Sequence, residues 1–310
     1  MSTKINRRKF VTSTALSAAG IMFGSNLVGC SSKKDVGSSL SSYNPLEEVM
    51  KYKKIDSHAH VWENLPGDLG VQLDYADRLG IKTQVISCPV TSGKATPDRF
   101  RENNNFILKC MKQHPDRFIG QITLNPEYQK ESLQEIERCI DQGMVGMKVY
   151  KQVKINDPLF YPIIEKFIDH NMIMLMHSGP GIKRIGPKYD VLDPPTISIP
   201  EDFADIARRY PEGMFQFAHL AGGLDWEYAC KALKDSPNVY VDASGSNNEG
   251  NLINFAMEYI GEDRLLFGCD RSFYQGVGLM MSSNLTDTQR EKLFFRNYNN
   301  ILKKSGRNVS

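Results

Sequence analysis

One rhythm constrains this chain more than any other feature. From residue 53 onward a short β-rich run, a turn and a helix-period stretch recur about every 30 residues. The predicted strands are 53–58 (KKIDSH), 82–88 (KTQVISC), 117–124 (RFIGQITL), 144–150 (MVGMKVY), 172–177 (MIMLMH), 214–219 (MFQFAH), 238–243 (NVYVDA) and 264–269 (RLLFGC). Helix-period stretches lie between them, for example 130–142, 158–170, 200–210 and 249–260, with stop signals such as Gly143 and Gly261. The strand ends, near 58, 87, 124, 148, 177, 219, 242 and 270, span 212 residues in seven intervals. About 30 residues is the length of a βα unit with its crossover helix. Eight such units closing on themselves make an α/β fold of the (β/α)8 TIM-barrel class, a single domain of typically ~250 residues. An open doubly wound sheet is the competing arrangement, but it calls for a Gly-rich phosphate loop after the first strand. Here that strand runs into Asp-Ser-His-Ala-His, with no GxGxxG.

The first thirty residues read as an address rather than as part of the barrel. Residues 1–9 carry Lys4, Arg7, Arg8 and Lys9 and no acid, and residues 10–29 carry no charge. A basic start followed by a short, mildly apolar stretch is the pattern of an export signal and is too short for a comfortable membrane span. The string NRRKF resembles a twin-arginine signal, and Leu27-Val28-Gly29-Cys30 resembles a bacterial lipobox, in which the cysteine becomes the lipidated first residue. The expected division is therefore a signal over 1–29, a Ser-rich tether over 30–46 and the barrel over 47–310. On this reading the protein is exported and held on a bacterial membrane by lipid at Cys30, facing the periplasm. The remaining five cysteines, Cys88, Cys110, Cys139, Cys230 and Cys269, form no CxxC pair and read as small buried apolar residues.

Charge sharpens once the address is set aside. The whole chain is formally +2, but the four charges of residues 1–29 are all positive, so residues 30–310 carry −2. That removes the basic surface a nucleic-acid partner would need, and a metal-dependent nuclease becomes a weak option.

Four of the six histidines fall at predicted strand ends: His58 and His60 on the first, His177 on the fifth and His219 on the sixth. Active sites of barrels of this class are built at that mouth. Residues i and i+2 of a strand project to one face, so His58 and His60 can share one metal ion. The eighth strand ends in Phe267-Gly268-Cys269-Asp270 and sets a carboxylate beside the first strand of a closed barrel. His177 completes a set of three imidazoles and one carboxylate, which suits a divalent ion, Zn²⁺ first among them.

These segments resemble a known family. DSHAH on strand 1, MHSG on strand 5, FAHLAG on strand 6 and LFGCD on strand 8 are similar to the amidohydrolase superfamily, in particular its amidohydrolase-related (amidohydrolase 2) branch. That branch includes metal-dependent hydrolases, sugar-acid lactonases and decarboxylases, and the resemblance extends over 53–303 to the late NYNNILKK segment. It implies that His58, His60, His177 and Asp270 are metal ligands and that Asp270 is also the general base. It implies that His219 holds or deprotonates the attacking water or binds a second ion. Lys148, in Gly146-Met147-Lys148-Val149-Tyr150, would be a carbamate bridging two metals, an amine gripping a substrate carboxylate, or a partner of Asp270.

Other residues carry weaker signals. Arg271, next to Asp270, is a candidate for substrate contact or for pairing with an acid, and Trp62 for the pocket wall or the core. Asp56 shares a face with His58 and is expected to orient a ligand. The Gly- and Pro-rich stretch 178–200, with Lys183, Arg184 and Lys188, reads as a loop at the mouth. Together these features point to a metal-dependent hydrolase of a small molecule (a lactone, ester or amide), with catalytic residues Asp270, His219 and Lys148 and with basic residues at the mouth that could attract an anionic substrate. A non-oxidative decarboxylase on the same site is the alternative, and a ligand-binding lipoprotein without turnover is the alternative from another class.

Overall fold

Backbone pairing decides whether eight strands form an open sheet or a ring. The computed structural model describes residues 44–63, 67–179, 195–220, 225–245, 247 and 249–309. Its strands are β1 (Lys54–His60), β2 (Ile81–Ser87), β3 (Phe118–Gly120), β4 (Met147–Val149), β5 (Ile173–Met176), β6 (Met214–Phe217), β7 (Val239–Asp242) and β8 (Leu265–Leu266). β1, β2 and β3 pair in parallel, as do β4 through β8, each with the next in chain order. Two seams remain. At the first, Ile122 bridges Met147 in parallel and Lys148 N donates to Ile122 O at 2.9 Å. At the second, Ser57 N donates to Phe267 O (3.0 Å) and Asp270 N to His58 O (2.8 Å). Each strand thus has a neighbour on both sides, and the sheet closes into a (β/α)8 barrel. Residues from Pro45 onward make one compact unit.

The helices form where the sequence repeats every 3.6 residues. The segment Pro200–Arg209 shows the rule: Pro200 opens it, Phe203, Ile206 and Ala207 are buried, and Arg208 and Arg209 close its last turn. The helices Pro97–Gln113, Gln129–Asp141 and Tyr161–Asp169 follow the same pattern. Among the described residues no helix is long and apolar enough to cross a membrane.

The barrel interior is unusually polar. Barrel interiors are normally dominated by branched aliphatic side chains. Here Lys54, Asp56, His58, Gln84, Gln121, Lys148, Gln216 and Asp242 are all at most 1% exposed. Lys148 of β4 touches His58 of β1, two strands that are not sheet neighbours, so both project inward. At the opposite end from the mouth, Lys54 Nζ donates to Val49 O (2.6 Å) and Tyr52 O (2.8 Å) and sits over the Phe294 ring.

Where the structure departs from the sequence reading, backbone conformation is the reason. β8 spans two residues rather than six: Phe267 and Asp270 still bond to β1, but the chain leaves extended geometry and reaches Asp270 and Arg271 with φ of 41° and 69°. The signal, Cys30 and most of the tether fall within residues 1–43, and Lys183, Arg184 and Lys188 within 180–194; both stretches lie outside the described residues. The five other cysteines are free and buried, as expected of small apolar residues.

Gly146 sets the entry to β4. Its φ is +70°, and a Cβ there would lie 2.3 Å from Ile173 O of the next strand. A left-handed conformation costs an L-residue roughly 1–2 kcal/mol before any clash. Gly146→Ala is therefore expected to destabilise the fold by more than about 2 kcal/mol, measured by urea denaturation.

Candidate metal centre

The site begins with strand alternation. His58 and His60 stand two residues apart at the end of β1, and their Nε2 atoms lie 3.1 Å apart. The seam hydrogen bond from Asp270 N to His58 O brings the Asp270 carboxylate over the same end, with Oδ1 3.3 Å from His60 Nε2. Gly268 permits this approach, since a Cβ there would meet His58 Cβ at 3.0 Å. Ligand atoms of His58, His60 and Asp270 all lie within 4.8 Å of one another.

The donor chemistry of this trio fits a divalent cation. His60 Nδ1 is 2.9 Å from Ser87 Oγ, and a hydrogen donated there leaves the Nε2 lone pair free. Lys148 Nζ donates to His58 Nε2 at 2.8 Å, so that nitrogen also presents a lone pair. Two imidazole nitrogens and a carboxylate oxygen thus converge on one space; Lys148 meets the His58 lone pair there, and a divalent cation would suit the same three donors. Burial, then neighbouring positive groups such as Lys148, hold His58, His60, His177 and His219 well below the usual histidine range, so all four are neutral. Neutral imidazole is the ligating form. Burial pushes the Asp270 carboxyl up to about 6 against the pull of Lys148, and lowers the Lys148 amine to about 8.

The other expected site residues divide by geometry. His177 and His219 form a second pair, Nδ1 to Nε2 at 2.8 Å, rather than joining the trio directly. His219 links the two groups: its Nδ1 is 3.4 Å from Asp270 Oδ2, and its ring centroid is 4.7 Å from that of His58. Trp62 packs beside His60 (5.4 Å between rings) and walls the site. Arg271 is paired with Asp68, Nη1 to Oδ1 at 2.5 Å, and lies over the Trp62 ring. Asp56 holds backbone rather than an imidazole: its Oδ1 accepts from His58 N (3.1 Å) and Cys269 N (2.9 Å), pinning the β1–β8 seam beneath the ligands. Sequence reasoning missed Asp242, 3.1 Å from His58 Nδ1, Ser244 between His58 and His219, and Tyr150, stacked on His177 at 4.0 Å. A signal for Asp242 existed, since it stands next to last in the run NVYVDA, near a predicted strand end like the histidines.

The profile of the amidohydrolase family matches residues 55–294, from the start of β1 past β8. The chain belongs to the amidohydrolase family. A 2-amino-3-carboxymuconate-6-semialdehyde decarboxylase of Dictyostelium discoideum is 24% identical over 276 residues, covering 77% of this chain and 74% of that protein. Among solved structures, 2,6-dihydroxybenzoate decarboxylase from Rhizobium shares the fold with a TM-score of 0.65 and 17% identity over 81% of this chain and 99% of that one. A 5-carboxyvanillate decarboxylase from Novosphingobium aromaticivorans, complexed with manganese and 4-hydroxy-3-methoxy-5-nitrobenzoic acid, superimposes with a TM-score of 0.63 and 16% identity, covering 82% and 97%.

In this amidohydrolase the site makes a pH prediction. Below about 6 Asp270 is protonated, and a cation must displace that proton; above it, the carboxylate is free. Burial lowers the two imidazoles, so near pH 6 they are already neutral. Affinity for Mn²⁺ is expected to fall about tenfold per pH unit below pH 6 and to level off above it. Titration calorimetry at several pH values reads this directly.

Proposed function

We propose that this amidohydrolase is a metal-dependent, non-oxidative decarboxylase of a small carboxylic acid. The observation that carries the reading is the His58–His60–Asp270 trio, two buried imidazoles and a half-buried carboxylate whose ligand atoms lie within 4.8 Å of one another. Relatives support it: the curated relative and the two superimposed structures described above are all named decarboxylases. The sequence alone put hydrolysis first, and these names reverse the order.

Decarboxylation replaces a C–C bond by a C–H bond, so the site must hold the acid, deliver a proton to carbon and let CO2 leave. A divalent ion held by His58, His60 and Asp270, with His177 and His219 at hand, would supply Lewis-acid binding of the substrate's oxygens. Manganese or zinc each suits this donor set. Asp270 is suited to move the proton, because one carboxylate oxygen faces His60 Nε2 at 3.3 Å while the other, Oδ2, is backed by His219 Nδ1 at 3.4 Å. Lys148, a buried amine at the edge of the trio, balances negative charge brought in by an acid. Trp62 offers a flat wall for a planar substrate. Hydrolysis of a lactone, ester or amide is the second reading, favoured by the same Asp270, which can equally take a proton from water.

A panel of aromatic and unsaturated carboxylic acids, assayed for CO2 release beside lactones, esters and amides, separates the two. Asp270→Asn is expected to lower kcat by roughly 10²–10⁴. The double variant His58→Ala/His60→Ala is expected to lose bound metal and turnover together. Turnover of lactones, esters or amides without CO2 from any acid would reverse the assignment in favour of hydrolysis.

The proposal for location is separate. Residues 1–30 support export and lipid attachment at Cys30. Radiolabelled palmitate should enter the full chain expressed in a bacterium with lipoprotein processing, and should not enter Cys30→Ala.

A further inference from the structure

Asp242 lies fully buried at the end of β7, and its two oxygens are divided between two sets of partners. Oδ2 accepts from Gln216 Nε2 at 2.9 Å and faces His58 Nδ1 at 3.1 Å. Oδ1 accepts from Ser244 N at 3.1 Å and His219 N at 3.2 Å. Three of the four partners are N–H donors by chemistry, and the fourth, His58 Nδ1, meets the same acceptor. A neutral imidazole carries one hydrogen, so a hydrogen on Nδ1 leaves the lone pair on Nε2. Lys148 bears this out from the other side of the ring, because an ammonium only donates and it lies 2.8 Å from Nε2. Ser244 Oγ, 3.2 Å from His58 Nδ1 and 3.1 Å from His219 Nδ1, can donate or accept and therefore fixes neither ring.

We propose that Asp242 is a positioning residue of the metal centre. It locks His58 in the Nδ1–H tautomer, so that Nε2 points its lone pair at the cation. Through the His219 amide it also holds His219, whose φ is +66°, in the same frame. One buried carboxylate thus ties a β1 ligand to His219, just past β6, which backs Asp270. The inference rests on the reading of His58 as a metal ligand. Partners of this kind are worth about 10–100-fold in metal affinity.

An asparagine at position 242 tests it with little change of volume. Whichever way its amide turns, its NH2 faces donors: Gln216 and His58 on one side, His219 N and Ser244 N on the other. Asp242→Asn, shown folded by circular dichroism, is expected to bind Mn²⁺ about 10–100-fold more weakly than wild type by titration calorimetry. In ¹⁵N-histidine-labelled, metal-free chain, NMR should show His58 as the Nδ1–H tautomer in wild type and a changed His58 signal in the variant. A folded variant with wild-type affinity and an unchanged tautomer overturns the proposal. If Asp242→Asn fails to fold, the wild-type spectrum decides alone: Nδ1–H supports the proposal and Nε2–H overturns it. A wild-type chain that takes up no Mn²⁺ sinks the metal reading instead, and the same spectrum still decides what Asp242 does to His58.

Discussion

The seam between β8 and β1 is the interaction on which the rest of the structure depends. A parallel ring has no edge only if its last strand bonds to its first. Here that closure rests on Ser57 N to Phe267 O and Asp270 N to His58 O. The second bond does two jobs, because its donor and acceptor belong to two members of the candidate metal trio. Closing the barrel and assembling the site are one event: no arrangement of this chain closes the ring by that bond and leaves Asp270 far from His58. Asp56 reinforces the seam from below by accepting from both strands' amides.

Building a site this way loads the barrel interior with polar groups, and their cost decides their charge states. A buried ion without a partner costs several kcal/mol, so groups there shift protonation or find partners. Every shift falls in the direction burial demands: the imidazoles stay neutral, and the Asp270 and Asp56 carboxyls rise to about 6 and 7. The Lys148 amine falls to about 8. The interior is therefore less charged than its composition suggests, and it is poised to accept a cation at one end.

Much of this was legible before the fold was known, and the reason is geometric. Strand ends in a βα rhythm mark the mouth of a barrel, so His58, His60, His177, His219 and Asp270 could be placed together from spacing alone. Contacts between side chains far apart in sequence were not legible. Nothing in the order of residues says that Asp242 meets His58 rather than solvent, or that Arg271 is taken up by Asp68. The split of the histidines into a trio member pair and a His177–His219 pair also depends on ring orientations, which spacing does not encode. Likewise the left-handed turns at Asp270 and Arg271 fall on residues that are not glycine, so nothing at those positions announces them.

Those turns lead to a last point about how the mouth is held. His219, Asp270 and Arg271 all have positive φ, a conformation that costs a non-glycine residue of order 1–3 kcal/mol and persists only where neighbours over-determine it. Each has a named restraint. The His58 carbonyl holds Asp270, Asp68 holds the Arg271 guanidinium, and Asp242 holds the His219 amide. Two of the three restraints are carboxylates outside the metal trio, one on β7 and one at the start of the helix Asp68–Arg78. The positions of His219 and Arg271 at the mouth therefore depend on acids outside the candidate metal trio. A search for functional residues confined to the trio would miss the side chains that keep it in place.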